Sequence, residues 1–139
     1  MLLIEERKNI FSVTTSKRCI VVPMGADYIC TGNMKEFELS FHLREKLTEM
    51  GPCEMPDCIR YGPILALIIK PNKYRYPEIE DIKGALDKMK EIIKRDKIRG
   101  IAMPRLGQDE REPIEWPDLR DYMFELFQHE DTDILVCHY

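Results

Sequence analysis

Residues 99–118 read RGIAMPRLGQDEREPIEWPD, and this stretch decides the predicted fold. A short apolar run over 100–103 ends at Pro104, a polar loop containing Gly107 follows, and Trp116 and Pro117 open an amphipathic segment. That order is typical of a strand, a loop and a helix. Ligands of open α/β sheets usually bind at the carboxyl ends of the strands, so this loop is a candidate ligand site.

The flanking sequence continues the alternation of strands and helices. Further strands are predicted over 2–4, 18–23, 64–69 and 133–137, and the run over 64–69 is apolar on both faces, as in a strand covered on both sides. Helices are predicted over 34–50, from residue 77 to about residue 95 and over 117–129, whereas 53–61 is predicted to be irregular. The pattern predicts one domain over residues 1–139, a three-layer α/β/α fold with a mixed, largely parallel central sheet.

The apolar face of the first helix is predicted from a regular spacing of large side chains. Its stripe consists of Leu39, Leu43, Leu47 and Met50, widened by Phe37 and Phe41.

Bulk composition excludes several classes of protein. The 139 residues carry a formal net charge of −4, so general binding of nucleic-acid backbones is not expected. The longest apolar run is far shorter than the roughly 20 residues of a membrane helix, and no targeting segment is visible, so a cytoplasmic protein without membrane contact is expected. The five cysteines are an odd number and are expected to be reduced; no metal spacing is present, and no cofactor is expected.

The segment from Ala102 to Gly107, followed by Trp116 and a helix, resembles the corresponding part of macro domains. In that family a Met-Pro-Arg-Ile-Gly stretch ends a strand and begins the loop around the phosphates of ADP-ribose. The likeness extends over most of the chain, and residues 67–70 (LIIK) are similar to one branch, the terminal ADP-ribose protein glycohydrolases. The resemblance implies that the ligand is ADP-ribose, alone or attached to a protein or nucleic acid.

The resemblance also implies which residues contact the ligand. They lie in three segments of the chain: Asn9 and Ile10; Gly25, Asp27, Gly32 and Asn33; and Arg105, Leu106, Gly107 and Gln108. Asn9 stands where the family has an aspartate that recognises adenine, and its amide oxygen can still accept a hydrogen bond from an amino group.

In the glycohydrolase branch, the lysine after the central strand attacks the anomeric carbon of the ribose, and an acid in the second ligand loop assists. The resemblance therefore implies Lys70 as nucleophile, which requires an unprotonated amine. Counting back from Trp116 points to Glu112 as the acid, whereas Asp109 lies nearer to Gly107, and both stay candidates.

Two functions remain open at this point. An ADP-ribosyl hydrolase is favoured by Lys70, and a non-catalytic module that binds or sequesters ADP-ribose or a related nucleotide is favoured by the loop sequences. Where the family has a second glycine two residues after the first, Gly32 is followed by Asn33 and Met34, and Gly107 by Gln108 and Asp109. A third alternative is a decayed pocket on a surface that binds protein.

Overall fold

Strands and helices alternate along the chain as predicted, and the computed structural model describes residues 1–30, 32–106 and 115–138, with only the main chain of Asn33. The strands are β1 (Leu3–Arg7), β2 (Cys19–Gly25), β3 (Asp57–Tyr61), β4 (Ile64–Lys70), β5 (Gly100–Pro104) and β6 (Asp133–His138). The α-helices are α1 (Lys35–Ser40), α2 (Leu43–Glu49), α3 (Ile79–Asp96) and α4 (Trp116–Phe127), and short 3₁₀ turns occupy Ile10–Ser12 and Gly32–Met34.

In the described part of the chain the strands form one sheet in the order β1-β6-β5-β2-β4-β3. All neighbouring strands run parallel except β3, which pairs antiparallel with β4. The predicted mixed, largely parallel sheet is confirmed.

Two hydrophobic clusters cover the two faces of the sheet. Alternate strand residues such as Val21 and Leu67 pack with α3 and α4, whereas their neighbours, such as Val22 and Ile68, pack with α1 and α2. Because successive side chains of a strand point to opposite faces, each central strand contributes to both clusters. Every residue of β4 is buried, as the run of apolar residues predicted. The fold is therefore the expected three-layer α/β/α arrangement.

Two predicted elements were wrong. The expected helix over 34–50 is interrupted after Ser40, and His42 adopts a left-handed conformation (φ 52°) before α2 begins. The break turns two members of the predicted apolar stripe outward, since Leu39 is 64% exposed and Met50 is 58% exposed. The segment 53–61 is not wholly irregular, because Asp57–Tyr61 forms β3 through its ladder with β4.

Candidate functional site at the carboxyl edge of the sheet

Parallel strand order brings the predicted ligand segments to one edge of the molecule. The segments that follow β1, β2, β4 and β5 all leave the sheet at the carboxyl ends of parallel strands. The 3₁₀ turn Ile10–Ser12 contacts β5, so the segment after β1 reaches across toward the centre of the sheet. Residues far apart in sequence therefore meet at this edge, where ligands of such sheets bind.

The pairing between β2 and β5 ends before the two strands reach this edge. Pairing of β2 with β5 covers only Cys19 opposite Ile101 and Ile20 opposite Ala102. The N–H of Ile20 donates to the carbonyl of Pro63 on the β4 side (2.8 Å), and because N–H groups alternate sides along a strand, position 23 faces β5. Pro23 has no N–H to offer there. The two strands are therefore not paired beyond Ile20 and Ala102, and a crevice between them is expected at the carboxyl edge.

The loop over residues 25–30, after β2, forms one wall of this crevice. The N–H of Ala26 donates to the carbonyl of Lys70 (2.8 Å), and the N–H of Tyr28 donates to the carbonyl of Gly25 (3.0 Å). A Cβ on Gly25 would lie 2.5 Å from Asp27 Oδ1 and 3.0 Å from Asn72 Cα. Only glycine therefore fits position 25 without displacing the loop after β4.

Asp27 fastens this loop to the segment after β4. Its Oδ1 accepts a hydrogen bond from the N–H of Ile29 (3.2 Å), and its Oδ2 accepts one from the N–H of Lys73 (3.0 Å). Both oxygens are engaged within the protein, so the geometry gives Asp27 a positioning role.

The far end of the same loop is held by Glu38 of α1. Glu38 is 5% exposed, its Oε1 accepts from the N–H of Cys30 (2.8 Å), and its Oε2 pairs with Lys35 Nζ (2.6 Å). Burial raises the pKa of the Cys30 thiol to about 12, and the negative charge of Glu38 acts in the same direction. Cys30 is therefore a neutral, buried thiol at neutral pH.

Lys70, the predicted nucleophile, ends β4 beneath this loop and is 2% exposed. Lys70 lies opposite Gly25 of β2, directly after an irregularity in the register of the two strands. Its positive charge acts to lower the pKa of the Cys30 thiol, against the larger effect of burial. Lys73 and Arg75, in the segment after Lys70, are exposed.

The segment after β1 packs against α1. Asn9 Oδ1 accepts a hydrogen bond from the N–H of Phe11 (3.0 Å), and the ring of Phe11 stacks on Phe37 with centroids 4.4 Å apart. Ile10 is 3% exposed and belongs to the hydrophobic cluster on the α1 side of the sheet. The predicted residues Asn9 and Ile10 are thus placed beside α1 by local hydrogen bonding and aromatic packing.

Glu5 of β1 holds the two ends of the second predicted loop. Arg105, directly after β5, lies with its Nε 3.5 Å from Glu5 Oε1, and the indole N–H of Trp116 donates to the same carboxylate. Arg120 Nη1 lies 3.4 Å from Glu5 Oε2. Burial alone raises the pKa of Glu5, but the bond from Trp116 and the charges of Arg105 and Arg120 outweigh it and hold that pKa below its usual range. Trp116 is 3% exposed and fixes α4 to the sheet.

The structure places some of the predicted residues side by side. Gly25 lies opposite Lys70 in the sheet and against Asp27, Gly32 begins the 3₁₀ turn before α1, Arg105 is turned toward Glu5, and Leu106 is fully buried. Gly107, Gln108, Asp109 and Glu112, and the side chain of Asn33, lie outside the described residues.

Sequence reasoning missed Glu5 and Glu38. For Glu38 a signal existed, because it follows Phe37 on the helix face that is otherwise apolar. For Glu5 none existed, because its indole partner is 111 residues away in the chain.

Across residues 1–30, 32–106 and 115–138, no cluster of three or more metal-ligating side chains occurs. Among the same residues, no helix has the length and hydropathy to cross a membrane.

Comparison with known proteins finds structural likeness and no sequence match. No protein-family model matches the sequence, and no curated protein matches it significantly. The macrodomain of Thermus aquaticus DarG superposes with a TM-score of 0.83 at 18% identity, covering 99% of both chains. The macrodomain of Mycobacterium tuberculosis DarG gives 0.80 at 15% identity, covering 99% of this chain and 98% of that one. Thermosipho africanus DarTG in complex with ADP-ribose gives 0.75 at 14% identity, covering 99% of this chain and 42% of that one.

Proposed function

The chain has the fold of a macro domain, and from that premise we propose that it binds ADP-ribose at the carboxyl edge of its sheet. The observation that carries the proposal is that the pairing of β2 with β5 ends before the carboxyl edge, where the loop over residues 25–30 and the segment after β5 leave the sheet. A solved protein of the same fold, Thermosipho africanus DarTG, is in complex with ADP-ribose, which supports the choice of ligand.

We further propose that the chain is a hydrolase that removes ADP-ribose from a modified acceptor. Lys70 Nζ attacks the anomeric carbon of the distal ribose, the bond to the acceptor breaks, and Asp109 or Glu112 gives a proton to the leaving acceptor. Water then releases ADP-ribose from the lysine. The position of Lys70 supports this role, because it ends β4 at the carboxyl edge of the sheet, beside the loop over residues 25–30.

Lys70→Met tests this mechanism, because methionine retains most of the buried stem and removes the amine. We expect release of ADP-ribose from modified protein or nucleic acid to be lost, while calorimetry shows ADP-ribose still bound. The matched control is Lys73→Met, which removes an exposed lysine from the same segment and should leave turnover unchanged. Full turnover in Lys70→Met would refute the proposed nucleophile.

A non-catalytic binding module is the second candidate function. The residues that follow Gly107 favour it, because a side chain at Asp109, where the family has a second glycine, limits how closely the main chain approaches a diphosphate. Under this alternative the wild-type chain binds ADP-ribose and releases none from any modified acceptor. Absence of binding at millimolar ADP-ribose would instead favour a surface that binds protein.

A further inference from the structure

A second cavity lies at the amino edge of the sheet, opposite the candidate site. It has a volume of about 320 Å³ and lies where β2, β4 and β5 begin and α3 ends. From Cys19 to Gly25 strand β2 rises roughly 20 Å at about 3.3 Å per residue, so the two edges are separate sites. The charged residues of its lining are Lys17, Arg18, Arg60, Lys97, Arg99 and Asp96.

The positive charge of this cavity is not balanced by its one acid. Asp96 already pairs with Arg60 (2.9 Å) and with Arg95 (2.8 Å), which lies outside the lining. Hydrogen bonds from Arg95 and Arg60 hold the pKa of the Asp96 carboxyl well below its usual range. Lys17, Lys97 and Arg99 are exposed, and none forms an ion pair with any residue that the structure describes. This excess is unusual in a chain whose formal net charge is −4.

Arg18 is held in a fixed position at the rim. Its Nη1 donates to the carbonyl of Ile101 (3.0 Å) and lies 3.4 Å from the carbonyl of Asp133. A guanidinium anchored in this way loses little conformational entropy when its remaining N–H groups bind a ligand. Gly100 allows the approach, because a Cβ there would lie 3.1 Å from the carbonyl of Lys17 and 3.2 Å from Arg18 Cγ.

Stabilisation of the carboxyl terminus of α3 does not explain why these cations cluster. Cations stabilise a helix carboxyl terminus through its dipole, and Lys94 and Arg95 already occupy the last turn of α3. Lys17, Arg18 and Arg99 belong to the segments that lead into β2 and β5, and Arg60 belongs to β3. Three separate segments therefore bring cationic side chains to one cavity.

We propose that this cavity binds a small, multiply charged phosphoryl anion. Planar guanidinium groups match phosphate oxygens in bidentate geometry, and a concave surface of one charge sign concentrates counter-ions. The volume lies at the lower end of the roughly 300–1,000 Å³ of small-molecule sites, which favours a compact anion over a polymer. The proposal does not depend on ADP-ribose binding at the other edge.

Titration of the full chain with inorganic pyrophosphate, followed through backbone amide NMR shifts, tests the proposal. We expect saturable shifts at the amides of Lys17, Gly62 and Gly100. The double variant Lys17→Gln and Arg99→Gln removes two exposed cations of the cavity, and its affinity for pyrophosphate should fall about tenfold or more. The matched control is Arg44→Gln and Lys88→Gln, which makes the same charge change at exposed positions of α2 and α3 and should leave the shifts unchanged.

Any one of four outcomes would overturn the proposal. The first is the absence of saturable shifts at these amides, and the second is an equal loss of affinity in the two double variants, which would indicate a general charge effect. The third is an equal affinity of the chain for citrate and for pyrophosphate at the same ionic strength, which would show that the cavity has no preference for phosphoryl groups. Shifts confined to residues 25–30 would place pyrophosphate at the carboxyl edge and would also contradict it.

Discussion

Two carboxylates hold the first candidate ligand loop in place from within the protein. Asp27 and Glu38 bind the two ends of the loop over residues 25–30 through main-chain N–H groups. Hydrogen bonds to a charged acceptor are each worth about 1.5–3 kcal/mol, so these contacts are strong enough to fix a loop that would otherwise be mobile. A loop fixed in this way keeps its shape when a ligand binds beside it, without a further cost in conformational entropy.

Asp27→Asn tests this positioning role at a single residue. The amide keeps the size of the carboxylate but can satisfy only one of the two N–H donors, of Ile29 and Lys73, because its nitrogen is itself a donor. We expect the affinity for ADP-ribose in calorimetry to fall about tenfold and the amide of Lys73 to exchange hydrogen faster. Asp131→Asn, at an exposed position, is the control. Unchanged exchange at Lys73 would show that Asp27 does not hold the two segments together.

For single residues, the place in a strand or loop was predictable, whereas the hydrogen-bond partners were not. Lys70 was identified through the resemblance of residues 67–70 to the glycohydrolase branch, and the structure buries it at the end of β4. The internal bonds of Asp27 were not predicted, because its partner Lys73 is 46 residues away and the contact forms only after β2 and β4 have paired. A local pattern reports the secondary structure of a residue and carries no information on such a partner.

At the level of elements, Glu5 links β1 to β5 and to α4. These three elements meet at one carboxylate, which receives Arg105 from the end of β5 and Trp116 and Arg120 from α4. The loop between β5 and α4 therefore has both its ends tied to the same side chain. Charge on Glu5 is expected to stabilise this junction.

Glu5→Gln tests the junction through the pH dependence of stability. The pKa of Glu5 is lowered on folding from its ordinary value of 4.5, so its stabilising effect is present above that value and is lost as the pH falls through the folded-state pKa. We expect the free energy of unfolding of the variant to be about 1 kcal/mol lower than that of the wild type at pH 7. This difference between variant and wild type should shrink below about pH 4.5. Denaturant unfolding across this pH range measures it, with Glu6→Gln, at the exposed neighbouring position, as control. A difference between Glu5→Gln and wild type that is constant with pH would contradict this assignment.

Helices and strands were predictable where the hydrophobic pattern was long. They were less predictable where tertiary contacts decide whether a helix or strand forms. The periodicity over 77–95 predicted α3, and the mixed sheet followed from the alternation of elements. The break at His42 was not predicted, because the apolar spacing continues through it and a left-handed residue leaves no mark in that spacing. The strand β3 was missed because its sequence, DCIRY, has little pattern of its own and depends on its ladder with β4.

At the scale of the whole molecule, parallel strands separate two edges with different chemistry. The carboxyl edge gathers the loop over residues 25–30, Lys70 and the two ends tied to Glu5, while the amino edge gathers the cations around the second cavity. The fold explains this separation, because all the parallel strands begin at one edge and end at the other. The two proposed sites can therefore be tested and altered independently.

The crystal structure of the chain soaked with ADP-ribose tests the central claim most directly. The account predicts the diphosphate between the loop over residues 25–30 and the end of β5, with the anomeric carbon of the distal ribose about 3–3.5 Å from Lys70 Nζ. ADP-ribose bound elsewhere on the molecule, or a distal ribose directed away from Lys70, would contradict it.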